Sequence, residues 1–173
     1  EPGSVNKLIT AVAAIDEGKT KPDEVLQVPG QIRMSGVTVK DAWAHGTEPY
    51  TTTGVFGKSS NVGTLMLAQR VGENAFADYV DRFGLGRSTG VGLPGESAGI
   101  VHPASDWTGR TRYTTSFGQG YSVTALQMVS AIGAFASSAA SMESSKSIVP
   151  TTCERSAESC TNGVAKELFS AQS

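Results

Sequence analysis

The chain has 173 residues, of which 39% are hydrophobic, and this is enough for one domain with its own core. Its 14 basic and 16 acidic residues give a formal net charge of -2, which excludes a general nucleic-acid-binding surface. No stretch is long and apolar enough to cross a membrane. Because the chain starts at Glu1 rather than at Met, we expect it to be part of a longer protein, which leaves room for an anchor outside it.

The first half of the chain is predicted to be mainly helical. Apolar residues at helical spacing predict a first helix over residues 3–17, which ends at Gly18. Residues 24–28 and 37–39 are short extended pieces in a segment rich in Pro and Gly. Three more helices are predicted over residues 51–57, 61–71 and 75–83.

The second half contains loops, one helix and a serine-rich end. Residues 85–120 hold Gly-rich and Pro-rich loops, which often border a functional site. Thr124 and Gln127 fit a helix capping box, and residues 125–135 continue as an apolar helix that we expect to be buried. Serine dominates residues 137–173, which we predict to be disordered or weakly packed.

The cysteines and histidines do not form a recognisable metal site. Cys153 and Cys160 have no histidine near them, so they are two free thiols or a small disulfide rather than zinc ligands. His45 and His102 are isolated in the sequence, which gives no support for a histidine-based triad. No phosphate loop or dinucleotide fingerprint occurs, so we expect neither a cofactor nor a metal.

Ser4 and Lys7 form a first candidate catalytic pair. Their spacing at a helix start places both side chains on one face. A neutral lysine could remove the serine proton, and burial and the helix dipole both favour the neutral amine. The pair therefore suits serine acyl transfer. The S-x-x-K spacing is about as frequent as chance gives, and the alternative is a helix cap followed by an exposed lysine.

Ser59, Ser60 and Asn61 form a second candidate group, an S-x-N motif just before a predicted helix. The Ser59 hydroxyl and the Asn61 amide could relay a proton or hold a substrate amide. The same residues would also serve as an ordinary helix N-cap. Spacing alone does not separate these two interpretations.

Longer motifs occur around both groups and continue along the chain. They are E-P-G-S-V-N-K at residues 1–7, K-S-S-N-V-G at 58–63, F-G-L-G at 83–86, L-P-G-E at 93–96 and G-Q-G-Y at 118–121. In order and spacing they resemble class B penicillin-binding proteins, which are peptidoglycan D,D-transpeptidases, and most of all the actinobacterial septal type. The resemblance covers about residues 1–136.

The resemblance implies a fold and a division of the chain. The expected fold class is α+β. The chain would be a fragment of the fold that β-lactamases and D,D-transpeptidases share, and it would contain mainly the helical subdomain and part of the sheet region. Residues 1–136 would be a partial penicillin-binding transpeptidase domain, and residues 137–173 a Ser-rich tail that is weakly structured or divergent. One hypothesis for this tail is that its sequence is out of frame or artificial.

The resemblance also implies roles for the candidate residues. Ser4 would attack the D-Ala-D-Ala end of a peptidoglycan stem peptide, with Lys7 as general base, and the amine of a second stem would then resolve the acyl-enzyme. Penicillin would acylate the same serine. Ser59 and Asn61 would relay the proton and hold the substrate. The expected substrate-binding residues are Gly118, Gln119, Gly120 and Tyr121.

The sequence departs from the family pattern at one motif. K-T-G, which in the family binds the substrate carboxylate and completes the oxyanion hole, does not occur in this chain. Its absence puts turnover by this chain in question, and we expect the chain to be poorly stable in isolation.

The resemblance implies stem peptides and β-lactams as ligands, a location at the extracytoplasmic face of the bacterial membrane, and an anchor outside this chain. A membrane glycosyltransferase and division proteins are the expected partners. Two other functions stay open. A serine β-lactamase or β-lactam sensor shares the S-x-x-K helix, although Glu96 in the L-P-G-E loop is no convincing deacylating residue. In a non-catalytic structural fragment, Ser4 and Ser59 would serve only as helix caps.

Overall fold

The computed structural model describes residues 1–34, 36–108 and 111–140, and it divides the chain into two compact units. The first unit comprises Glu1–Asp78 and His102–Tyr121. The described part of the second comprises Tyr79–Val101 and residues 122–140. Predictions for residues 141–173, including those for Cys153 and Cys160, lie outside the described residues.

Two packed helices form the centre of the first unit. A 3-10 turn at Gly3–Asn6 continues directly into α1 (Lys7–Asp16), which packs against α3 (Asn61–Val71). The short α2 (Thr52–Gly57) precedes α3, and α4 (Glu73–Arg82) follows it. The buried apolar side chains on α1 and α3 are Ile9, Val12, Ala13, Ala14, Val62, Leu65, Leu67 and Val71.

Two small antiparallel sheets lie between α1 and α2 in the sequence. In one, β1 (Val25–Pro29) pairs with β4 (Thr47–Thr51), which brings Leu26 opposite Tyr50. In the other, β2 (Gln31–Met34) pairs with β3 (Val37–Lys40). The predicted extended pieces at 24–28 and 37–39 correspond to β1 and β3.

Short helical turns complete the first unit. A 3-10 turn at Ala104–Asp106 precedes α5 (Thr111–Thr114), and a last 3-10 turn at Thr115–Phe117 packs against both α1 and α3. This last turn is almost fully buried and leads into the glycine-rich segment at 118–121. The fold thus brings that segment to the start of α1.

The second unit contains the end of α4 and α6 (Ala125–Ala140). The predicted capping box is confirmed, because Thr124 N donates to Gln127 Oε1 at 2.8 Å and Gln127 N donates to Thr124 Oγ1 at 3.2 Å. Gln127 is buried and also donates to the carbonyl oxygens of Arg87 and Ala98.

The prediction that this late helix is buried was wrong for one of its faces. Leu126, Val129 and Ile132 are exposed, while Ala131 is buried. An apolar sequence shows that a helix can be buried, but it does not show that other residues cover every face. The helix also continues to Ala140, beyond the predicted end at 135.

Among the described residues, no helix combines the length and the apolar character that a membrane span requires.

Candidate active site

Ser4 lies on the exposed side of the first 3-10 turn. A backbone hydrogen bond attaches this turn to the glycine-rich segment at 118–121: Gly3 N donates to Gly118 O at 3.0 Å. In the described chain, the Ser4 hydroxyl makes no hydrogen bond to another residue, and none joins it to Lys7. The hydroxyl is therefore accessible to an incoming group.

Lys7, three residues after Ser4, is buried, with a relative accessibility of 4%. Its Nζ donates to Ser59 O at 2.6 Å and to Ser59 Oγ at 2.9 Å. Burial lowers the pKa of Lys7 from its ordinary value, while the negative charge of Asp41 acts in the opposite direction. A neutral amine has two N–H bonds and one lone pair. The two oxygens of Ser59 can accept hydrogen bonds from both N–H groups of this amine. Its lone pair is then free to accept a proton.

Ser59 lies in the turn between α2 and α3 and has a left-handed backbone, with φ of 56°. Backbone hydrogen bonds fix this turn, from Ser59 N to Phe56 O at 3.0 Å and from Ser60 N to Val55 O at 2.9 Å. The N-cap of α3 is Ser60, whose side chain accepts from Gly63 N at 2.9 Å. Ser59 is thus free of the capping role, and its hydroxyl contacts Lys7.

Asn61 begins α3, and its Nδ2 donates to Lys40 O at 2.9 Å. This bond ties the first turn of α3 to the end of β3. Asn61 is half-buried, and within the described chain it makes no side-chain hydrogen bond to Lys7 or Ser59. The structure therefore brings Lys7 and Ser59 into direct contact and places Asn61 at the edge of the same turn.

The glycine-rich segment supports the start of α1. A Cβ on Gly118, whose φ is +87°, would lie 2.0 Å from Gly3 O, so only glycine allows this approach. Tyr121 is buried, and its hydroxyl donates to Asn6 Oδ1. Burial also raises the pKa of Tyr121. Gln119 and Gly120 are exposed, and Gly120 N donates to Glu1 Oε1 at 3.1 Å.

Two buried side chains, one in the first 3-10 turn and one in α1, attach these elements to the turn at Thr115–Phe117. Asn6 Nδ2 donates to Thr115 O at 2.8 Å, and Thr10 Oγ1 donates to Ser116 O at 2.7 Å. Sequence reasoning missed both residues. Nothing in the sequence around Asn6 or Thr10 distinguishes either of them from an ordinary helix residue.

Asp41 and His45 are two further residues that sequence reasoning missed. The Asp41 side chain is fully buried and accepts from Ser60 Oγ at 2.8 Å, from Val62 N at 3.0 Å and from His45 Nε2 at 3.0 Å. The first two donors belong to the S-x-N turn and to α3. In the described ranges, no three His, Cys, Asp or Glu side chains come together in a way that could hold a metal ion.

The family model of the penicillin-binding protein transpeptidase domain matches residues 1–153. The chain belongs to this family. Penicillin-binding protein PbpB of Mycolicibacterium smegmatis is 65% identical over 128 residues, which are 74% of this chain and 20% of that protein. Peptidoglycan D,D-transpeptidase FtsI of Escherichia coli is 39% identical over 129 residues, which are 74% of this chain and 21% of that protein. The chain thus spans about a fifth of the length of the curated relatives it matches.

Solved structures show the same fold. Penicillin-binding protein 3 of Mycobacterium tuberculosis in complex with ampicillin is 62% identical and has a TM-score of 0.78, and the match covers 80% of this chain and 30% of that chain. The apo form has a TM-score of 0.75 with the same identity, over 77% of this chain. These matches confirm the expected α+β fold of the penicillin-binding transpeptidases.

Proposed function

We propose that this chain carries the acylating side chains of a peptidoglycan D,D-transpeptidase that acts in cell division. The proposal rests on one observation: Nζ of the buried Lys7 contacts both oxygens of Ser59. Lys7 lies three residues after the exposed Ser4. Membership of the transpeptidase family supports the same assignment. The substrate would be the D-Ala-D-Ala end of a stem peptide.

In the proposed acylation, the neutral Lys7 amine takes the proton of the Ser4 hydroxyl as Ser4 Oγ attacks the carbonyl carbon between the two D-alanines. The C–N bond then breaks. The proton passes from Lys7, through the Ser59 hydroxyl, to the nitrogen of the departing D-alanine. In the second half, the amine of another stem attacks the ester, and its proton returns to Ser4 Oγ by the same route.

The residues around the nucleophile would bind the substrate. Asn61 would use its amide oxygen and the second N–H of Nδ2, because the first N–H is donated to Lys40 O. Gln119 and Gly120 are exposed beside the start of α1 and would line the substrate site. Gly118 and Tyr121 would contribute indirectly, because their hydrogen bonds to Gly3 and Asn6 hold the turn that contains Ser4.

The wider setting is also a proposal. We place the protein at the extracytoplasmic face of the bacterial membrane, with an anchor outside this chain, and we propose a membrane glycosyltransferase and division proteins as its partners. Support comes from the 65% identity to penicillin-binding protein PbpB and from the resemblance to septal members of the family.

The alternatives receive less support from the structure. Glu96 accepts hydrogen bonds from Ser88 Oγ at 2.6 Å and Thr89 N at 2.7 Å, so its carboxylate is engaged within its own loop and is a poor base for a β-lactamase. Neither Ser4 nor Ser59 is a helix cap, because the caps around them are Pro2, Asn6 and Ser60. The premise of the non-catalytic interpretation was therefore wrong.

The test is the intact mass of the full-length protein after incubation with penicillin, compared with a Ser4→Ala variant. We expect a stable adduct of one penicillin on the parent protein and none on the variant. A Ser105→Ala variant is the matched control, because Ser105 is also exposed in the first unit. An adduct that persists in Ser4→Ala would refute the assignment of the nucleophile, whereas rapid hydrolysis without an adduct would favour a β-lactamase.

A further inference from the structure

The S-x-N turn is attached to a buried carboxylate on another part of the chain. Asp41 follows β3 and is separated from Ser60 by 19 residues. One of its oxygens, Oδ2, accepts from Ser60 Oγ and His45 Nε2, and the other, Oδ1, accepts from Val62 N. A fully buried carboxylate is stable only when such donors replace water. The three donors therefore fix its position closely.

The carboxylate in turn fixes the beginning of α3. Val62 N belongs to the first turn of α3 and has no acceptor within the helix, so Asp41 Oδ1 supplies one, and the helix dipole favours a negative charge at this end. Ser60 links the carboxylate to the next amide, since its hydroxyl donates to Asp41 and accepts from Gly63 N. Asp41 thus holds the residue that directly follows Ser59.

The conformation of Ser59 shows why this support matters. A left-handed backbone with φ of 56° is uncommon for a residue with a side chain and persists when its surroundings impose it. The same conformation presents both Ser59 oxygens to Lys7 Nζ. If Ser60 moved, Ser59 could relax and one or both of these contacts would lengthen.

His45 holds Asp41 from the other side. Its side chain is only 2% accessible, and its ring stacks on Trp43 with centroids 5.2 Å apart. The loop that bears it lies against Gly30, where a Cβ would come within 2.1 Å of His45 O. Because a carboxylate accepts hydrogen bonds, Nε2 carries the proton in this pair. Nδ1 is buried and has no hydrogen-bond partner among the described residues.

We propose that Asp41 and His45 are positioning residues for the transpeptidase site. His45 orients the Asp41 carboxylate, and the carboxylate fixes Ser60 and the start of α3. Ser59 is thereby kept in hydrogen-bonding contact with Lys7. This inference rests on the proposed function. Neither residue forms a hydrogen bond with Ser4, Lys7 or Ser59 in the described chain, so the positional support that they give passes through the S-x-N turn, apart from the direct effect of the Asp41 charge on Lys7.

The test measures acylation of Ser4 by a fluorescent penicillin in the full-length protein, with the acylation rate constant separated from the dissociation constant of the first complex. His45→Phe keeps a ring against Trp43 but removes the donor, and we expect an acylation rate constant about tenfold lower with little change in the dissociation constant. His45→Gln places an amide N–H near the position of Nε2 and should restore the rate constant to within about twofold. His102→Phe is the control, since His102 is exposed.

A second variant keeps the proposal testable if His45→Phe fails to fold. Asp41→Asn retains the acceptor for Val62 N but loses the acceptor that Ser60 and His45 share, and we expect a rate constant at least about tenfold lower. Where both single variants fold, adding His45→Phe to Asp41→Asn should lower the rate constant little further, because His45 acts through Asp41.

The outcomes separate this inference from the proposed function. If the parent protein forms no adduct at Ser4, the proposed function fails. If the parent is acylated normally and His45→Phe reacts equally fast, the positioning role is wrong. It is also wrong if His45→Gln is as slow as His45→Phe, or if the effects of His45→Phe and Asp41→Asn multiply.

Discussion

Replacement of Gly118 by alanine tests whether the glycine-rich segment holds the turn that contains Ser4. Alanine at φ of +87° is strained by about 1–2 kcal/mol. Its Cβ would also lie 2.0 Å from Gly3 O, a backbone atom that cannot swing aside like a side chain. Relief of the clash requires Gly3 to move and breaks or lengthens the 3.0 Å bond from Gly3 N to Gly118 O. Overpacking of this kind costs about a further 1–3 kcal/mol.

Gly120 provides a matched control for the backbone strain. Its φ is +89°, but the atom nearest to an added Cβ is Thr114 Oγ1, a side-chain atom at 3.3 Å. Alanine at 120 therefore has the same left-handed strain with little clash. We expect Gly118→Ala to lower the free energy of unfolding by about 1–3 kcal/mol more than Gly120→Ala does.

Urea unfolding of the two variants measures this difference, and penicillin acylation measures its effect on the site. Because Gly3 adjoins Ser4, the displacement should also lower the acylation rate constant of Gly118→Ala by at least about tenfold. Equal free energies of unfolding for the two variants would refute the reasoning. An unchanged acylation rate in Gly118→Ala would show that the contact does not set the position of Ser4.

The same structure gives four other predictions. The acylation rate should rise with pH around a midpoint below the ordinary pKa of lysine, because only neutral Lys7 accepts a proton and burial lowers its pKa. In Asp41→Asn the midpoint of this pH–rate profile should move to lower pH, because the charge that raises the pKa of Lys7 is gone; a shift to higher pH would contradict this. Gly63→Ala places a Cβ 2.6 Å from Val55 Cγ1 and should lower the melting temperature by an amount corresponding to about 1–3 kcal/mol. Gln127→Ala removes a buried side chain that donates to the carbonyl oxygens of Arg87 and Ala98 and closes the capping box, and it should cost at least about 1 kcal/mol in urea unfolding, whereas an unaltered midpoint would count against the capping box.

Local signals explain the parts of the fold that the sequence predicted well. The predicted helix at 61–71 has the observed bounds of α3, because Ser60 caps its start and Gly72, with φ of +84°, ends it. The capping box at Thr124 and Gln127 is a similar case, since both partners lie within one turn. These signals depend on neighbours in the sequence and therefore need no knowledge of the tertiary fold.

The sequence did not predict the supports of the site, for a physical reason. Asp41 meets the S-x-N turn only after β3, its following loop and α3 have packed together. His45 seemed isolated because its partner is an aspartate four residues away in an irregular loop, where no helical or strand period applies. The motif residues were recognised from the longer sequence motifs in which they stand, whereas the residues that hold them belong to no such motif.

The first turn of the chain differs from the predicted structure, and the difference bears on how Ser4 lies relative to Lys7. A continuous α-helix was predicted over residues 3–17, but Gly3–Asn6 forms a 3-10 turn. Residues three apart are nearly superposed along a 3-10 helix, whereas an α-helix offsets them by part of a turn. From the tighter turn we expect the Ser4 side chain to lie closer to Lys7 than it would in a continuous α-helix. Because Gly3 N is bonded to Gly118 O in this turn, the glycine-rich segment would then help to align Ser4, the proposed nucleophile, with Lys7, the proposed base.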